Sequence, residues 1–205
     1  NYYYQLVANV RKYKGVQKPI EAGEKVTIDI QASFDQWDDV EAVYYDHLGD
    51  IQHRNSIGDH MAGQYTNTTG RNDIIESKVA HDANNIYFYV KTKGKISNHT
   101  DNNWMLLFIN ADQNHETGWE GYDFMINAEI LGETTTTLKQ LKKGKWKTVD
   151  ELEFTYMDHE LMLKIPKFSL GEERVEFDFH WADNIQKLND ITEFFLNGDS
   201  APDRR

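Results

Sequence analysis

Apolar and polar residues alternate with a period of two along most of the chain. "KVTIDI" (25–30) sends Val26, Ile28 and Ile30 one way and Thr27 and Asp29 the other. "NIYFYVKT" (85–92) sets Ile86, Phe88 and Val90 against Tyr87 and Tyr89. Successive side chains of a β-strand leave opposite faces, so each run predicts a strand. "WMLLFIN" (104–110) is apolar on both faces and predicts a central strand, while "YDFMIN" (122–127), "ELEFTYM" (151–157), "ELMLKIP" (160–166) and "VEFDFHWA" (175–182) alternate again. "TTTTLKQL" and "KWKTV" flank Lys143-Gly144-Lys145, a hairpin signal. About eight to ten strands of this kind predict an all-β fold, a two-sheet antiparallel β-sandwich of the jelly-roll or immunoglobulin-like type. Helical spacing shows at the N-terminus, where Tyr3, Leu6, Val7, Val10 and Tyr13 form one stripe and Gly15 ends it. A short helix is expected there, followed by a linker in "GVQKPIEAGEK". The segment 46–71 has no period and few large apolar residues, and reads as a long loop of the kind that often carries function.

Composition narrows the partners. The 205 residues carry 22 Lys and Arg against 34 Asp and Glu, a formal charge of −12, which repels a phosphate backbone and leaves neutral ligands or cations as better matches. Neither nucleic acid nor a membrane is an expected partner, since no apolar run approaches the roughly 20 residues that span a bilayer. Cysteine is absent, which excludes a disulfide framework and thiolate chemistry. Aromatic residues reach 13%, and such rings fill cores or form flat platforms for sugars.

"NADQNHETGWEGYDF" (110–124) holds the densest chemistry. Against the calcium-loop template it offers Asp112, Asn114 and Glu116 at the first, third and fifth places and Asp123 at the twelfth, but Thr117 stands where the sharp turn needs Gly. Asp112, Asn114 and Asp123 are the candidate ligands for a structural calcium; the alternative is a solvated turn whose Asn and Asp bond its own backbone. Asp112, Glu120 and Asp123 could serve as acid and base in glycoside hydrolysis. Carboxylates this close are expected by chance in so acidic a chain, so no catalytic residue is assigned. His47, His53 and His60 match no zinc spacing. Trp104, Trp119 and Trp181 lie at strand ends or in loops beside polar residues, as "NNW", "GWEGYD" and "HWADN". They are candidate stacking faces for a pyranose, with Asp123 and Asn127 for its hydroxyls; the alternative for each Trp is core or rim packing.

"IDIQASFDQWDDV", "DANNIYFYVKT" and "WMLLFINADQNHETGWEGYDFMIN", in this order, resemble the successive strands of family 9 carbohydrate-binding modules, over roughly residue 25 to the end. The N-terminal "YYYQLVANVRKYKGVQKP" resembles the last helix of family 71 or 99-like glycoside hydrolases. The resemblance implies two parts: residues 1–18 as a helical remnant of a preceding catalytic domain plus linker, and residues 19–205 as the binding module. It also implies a β-sandwich, structural calcium, an oligo- or polysaccharide ligand, a covalently attached catalytic domain and a secreted or periplasmic setting. The family holds sugar between two Trp with a Glu, an Arg and an Asn. Here Leu106 stands at the Glu and Met125 at the Arg, Asn127 matches the Asn, and Trp181 is the candidate for the second Trp. The expected function is thus a non-catalytic module that targets an attached glycoside hydrolase to glycan. The alternatives are an interface domain packed on its neighbour, suggested by Tyr2, Tyr3 and Tyr4, and hydrolytic activity in this chain itself.

Overall fold

The computed structural model describes residues 5–6, 9–10, 12–13, 19–57, 64–171 and 176–202. Its strands are β1 (Val43–Tyr45), β2 (Arg54–Ile57), β3 (Gln64–Asn67), β4 (Ile74–His81), β5 (Asn85–Thr92), β6 (Leu106–Asn110), β7 (Phe124–Ile130), β8 (Thr135–Lys142), β9 (Lys145–Met157), β10 (Glu160–Pro166), β11 (Asp178–Asp183) and β12 (Asp199–Ala201). Besides helical residues at the N-terminus, the described residues include a short helix, α1 (Glu193–Leu196), and two 3₁₀ turns, Phe34–Trp37 and Lys167–Leu170. The all-β, antiparallel expectation holds. Hydrogen bonds, however, join ten strands into one sheet in the order β1-β4-β5-β10-β9-β8-β7-β6-β11-β12, nearly closed into a barrel, with β2 and β3 as a separate small hairpin. The division into two sheets expected from the sequence is not drawn by these bonds.

The alternating runs become strands because each has an apolar face to bury, and in places the outer face is covered as well. Ile86, Phe88, Val90, Leu107, Ile109, Ile126, Leu161 and Leu163 fill the inside of the curled sheet. The outer face is covered in two places by chain that is not strand. Ile28, Ile30, Phe34 and Trp37 cap Tyr87, Tyr89 and Met162, with Trp37 stacked 5.2 Å from Tyr89. Trp119, Tyr122, Ile185 and Phe194 cap Leu106, Phe108 and Met125. The predicted strand at 25–30 is therefore a correction. Ile28 and Ile30 are buried as expected, but Val26 is exposed and the segment joins no sheet. Val26 N–H donates to His81 O of β4 at 2.8 Å, but beyond it side chains capture the backbone: Asp29 N–H donates to Gln36 Oε1 and Gln31 N–H to Asp29 Oδ1, a local competition that Asp and Gln favour over a ladder.

At the N-terminus Gln5, Leu6, Asn9, Val10, Lys12 and Tyr13 are helical, as the stripe predicts. Tyr2, Tyr3, Tyr4 and Val7 lie outside the described residues. The β8–β9 hairpin closes through Lys143 and Gly144, both at positive φ (51° and 71°), the mirror-image turn whose twist matches paired strands.

Closure of the sheet happens where β12 meets β4. Ile74 N–H, at the start of β4, donates to Asp199 Oδ2 at 2.6 Å. Just before β12, Gly198 sits at φ +58°, and a Cβ there would lie 1.7 Å from Asp183 O on β11. Replacing Gly198 with Ala should cost about 2–4 kcal/mol, because no side-chain movement relieves a clash with backbone. Urea denaturation checks this: the midpoint should fall with an unchanged slope. A midpoint equal to that of the parent would mean β11 and β12 are not packed as described.

Candidate functional site

The closing edge of the sheet carries a pocket of about 440 Å³. Asp50, Arg54, Tyr65 and Asn67 reach it from the segment 46–71, His180 from β11, and Phe194, Asn197, Asp199 and Ser200 from α1 and β12. The segment read as a long loop thus contributes the β2–β3 hairpin and one wall of the pocket. Short polar bonds hold that wall in place. Thr69 is the knot: its Oγ1 donates to Asn197 Oδ1 (2.9 Å) and accepts from Gly198 N–H (2.8 Å), while its carbonyl accepts from Asn184 Nδ2 (2.6 Å). Two residues on, Arg71 forms a bidentate pair with the fully buried Asp183, Nε to Oδ2 at 2.8 Å and Nη2 to Oδ1 at 3.2 Å. Arg54 donates from Nη2 to Asp50 O (2.7 Å) and rests its guanidinium 5.6 Å from the centre of the Tyr65 ring, a cation–π arrangement. His180 faces Phe194 at 4.7 Å.

Three carboxylates, Asp46, Asp50 and Asp199, bring oxygens within 4.8 Å of one another beside this pocket. Asp199 is buried, and burial pushes its carboxyl up to about 9. The N–H bonds from Ile74 and Ser200 oppose that rise, and the charges of Asp50 and Asp46 add to it. Such a group can hold a proton between the acids, and the same donor chemistry suits a hard cation. No single stretch of sequence announces it: Asp46 and Asp199 are brought together only when the sheet curls. The polar run "NGDSAP" (197–202), with a Gly between two polar residues, is the available signal.

The residues singled out from sequence lie elsewhere. Trp104 is 1% exposed and donates its indole N–H to Ser97 O (3.0 Å); Trp181 is 0% exposed, against Phe88 inside the sheet. Neither offers a ring face to a sugar, a correction whose cause is that Trp181 lies within β11 on its inward face, between Leu107 and Ala201, and Trp104 packs inward just before β6. Asn127, 3% exposed, donates Nδ2 to Met105 O (2.7 Å) and is likewise interior. Trp119 is half-buried, packed on Phe108 at 5.4 Å and edge-on to Phe194 at 6.0 Å, so it backs onto the pocket wall through Phe194.

The Asp112–Asp123 loop bonds to itself. Asp112 accepts from Asn114 N–H and Thr117 Oγ1, Asn114 Oδ1 from Glu116 N–H, and Asp123 Oδ2 from Ala111 N–H at 3.0 Å. These contacts are those of a turn whose Asp and Asn bond its own loop. Burial pushes the Asp123 carboxyl up. His47 and His53 are exposed, and His60 lies outside the described residues. Searches against family models, curated proteins and solved structures return no match for this chain.

The sign of the pH effect follows from Asp199. In the unfolded chain it ionises near the usual carboxylate value of about 4, and in the folded chain near 9. Between these limits the folded state binds more protons, so stability falls as pH rises. With a chelator present, the Tm should drop steadily from pH 5 to pH 9, and Asp199→Asn should flatten the slope. A Tm rising over this range, or an unchanged slope in the variant, would contradict the buried neutral carboxyl.

Proposed function

We propose that the chain is a non-catalytic carbohydrate-binding module of the family 9-like kind, which tethers an attached glycoside hydrolase to glycan in a secreted or periplasmic setting. On this reading the bent sheet stands for the two-layer sandwich of that family, and sugar contact has moved from a pair of Trp to the edge pocket. The observation that carries it is the pocket itself. Its volume falls in the range of small-ligand sites, and it mixes the Tyr65 ring with Asp50, Asn67, Asn197 and Arg54. A saccharide needs that mixture, because every hydroxyl buried without a partner costs about 1–3 kcal/mol. Modest affinity suffices, since a tethered second site raises local concentration.

Hydrolysis in this chain is the weaker reading. A glycosidase sets two carboxyl groups about 5–9.5 Å apart with sugar between them. Here the three acids crowd within 4.8 Å, and Asp199 spends its oxygens on the N–H groups of Ile74 and Ser200. One observation favours the interface alternative: Leu6, Val10 and Tyr13 on the N-terminal helical residues are 49%, 46% and 96% exposed, an apolar stripe suited to a neighbouring domain. Removing the module from a parent enzyme should then lower the stability of the remainder, whereas a pure binding module is removable.

A glycan array followed by calorimetry tests the main reading. The chain should bind at least one oligosaccharide, and Tyr65→Ala should weaken it about tenfold, the loss of one stacked ring, with Tm little changed. Absence of any glycan ligand, or equal binding by the variant, would remove it.

A further inference from the structure

The densest positive charge lies on the β8–β9 hairpin. Residues 138–147, "LKQLKKGKWK", hold Lys139, Lys142, Lys143, Lys145 and Lys147 and no acid, in a chain of formal charge −12. Strand register sets their directions. Lys142 is paired directly with Lys145 and Gln140 with Lys147, so Lys142, Lys145 and Lys147 share one face, while Leu141 and Trp146 oppose each other on the other. Trp146 is half-buried and packs toward the cluster over Phe108, holding the hairpin down. Lys139 is neutralised by Glu129 at 2.9 Å. Among the described residues, Lys142, Lys143, Lys145 and Lys147 have no carboxylate within ion-pair distance, and all four are exposed.

Like charges directly opposite on paired strands are destabilising. Lysine commonly guards exposed sheet edges, and Lys145 and Lys147 lie along one, since β10 pairs with β9 only over Glu153–Met157, but edge protection needs no directly opposed pair such as Lys142 and Lys145. The ends of the strand order meet at the pocket, whereas β9 and β8 are each fifth from an end. Each ammonium is a point charge with three donors, suited to carboxylate or sulfate oxygens. Lys145 and Lys147 follow each other along one strand at about 6.7 Å, with Lys142 alongside, a short row that matches successive charges on an extended polymer.

We propose that this hairpin is a second glycan contact that selects acidic polysaccharides, chains bearing carboxylate or sulfate groups. The inference rests on the glycan-binding reading and adds a substrate class to it. The rest of the surface, strongly acidic, would disfavour a duplex nucleic acid.

The test compares polygalacturonate and dextran sulfate with the neutral polymers xylan and dextran, using the full chain and a Lys142→Gln/Lys145→Gln/Lys147→Gln variant. The parent should retain the acidic polymers in low salt and release them in high salt, a readout that needs no variant. The triple variant should bind them at least tenfold more weakly, with an unchanged circular dichroism spectrum and unchanged binding of any neutral ligand. Neutral polymers bound while acidic ones are ignored, or acidic ones bound equally by the variant, would overturn the hairpin inference and leave the pocket reading standing. Failure to bind any polysaccharide would overturn both. Lysine-dependent binding of duplex DNA tighter than of any polysaccharide would overturn the assignment to glycan.

Discussion

The buried pair of Arg71 and Asp183 is the constraint on which the working edge of the molecule depends. Asp183 is fully enclosed, and its carboxyl takes two bonds from the guanidinium and a third from Met105 N–H at 2.9 Å. Arg71 Nη2 also donates to Asn102 O at 2.8 Å. One side chain thus ties the end of the β2–β3 segment to β11 and to the chain leading into β6. Burial pushes Asp183 up and the guanidinium opposes it, so the pair stands or falls together. Leaving such a charge buried without its partner costs about 3–5 kcal/mol, a large share of a domain's stability.

From that anchor the rest of the edge follows. Asp183 is the register partner of Asp199, so fixing β11 fixes β12. Asp199 then supplies an acceptor for Ile74 N–H, while Asp73 Oδ1 accepts from Gly49 N–H at 2.9 Å. A sheet that curls without fully closing leaves backbone donors at its meeting ends, and side-chain oxygens must satisfy them. The acid density beside the pocket therefore has a structural origin. The pocket borrows it: residues that close the barrel also supply polar groups of its lining.

Much of the scaffold is legible from residue order. β5, β6 and β10 fall on the predicted runs because their alternation, or their unbroken apolarity, reflects burial on one or both faces. "KWKTV" and "ELEFTYM" are one continuous strand, β9, which pairs with β8 on both sides of a bulge at Val149, where the register shifts between Leu138 and Lys139. The segment 25–30 has the same period but lies over the sheet, where two isoleucines pack downward without a ladder; a period of two cannot tell these cases apart. Polar neighbours make Trp104 and Trp181 look exposed, yet "NNW" and "HWADN" flank rings that turn inward, leaving the polar neighbours at the surface or in the Arg71–Asp183 junction. The lack of pattern in the segment 46–71 marks it as a loop worth attention. Its partners, at 180 and 194–200, come from the far end of the chain and meet it only through sheet closure.

The most direct measurement is amide chemical-shift mapping of the isotopically labelled chain during titration with a neutral oligosaccharide drawn from the array. The pocket account predicts perturbations grouped at Arg54, Tyr65, Asn67, Asn197 and Ser200, with the 112–123 loop undisturbed. Shifts centred on that loop, or scattered over the sheet with none at the closing edge, would contradict it.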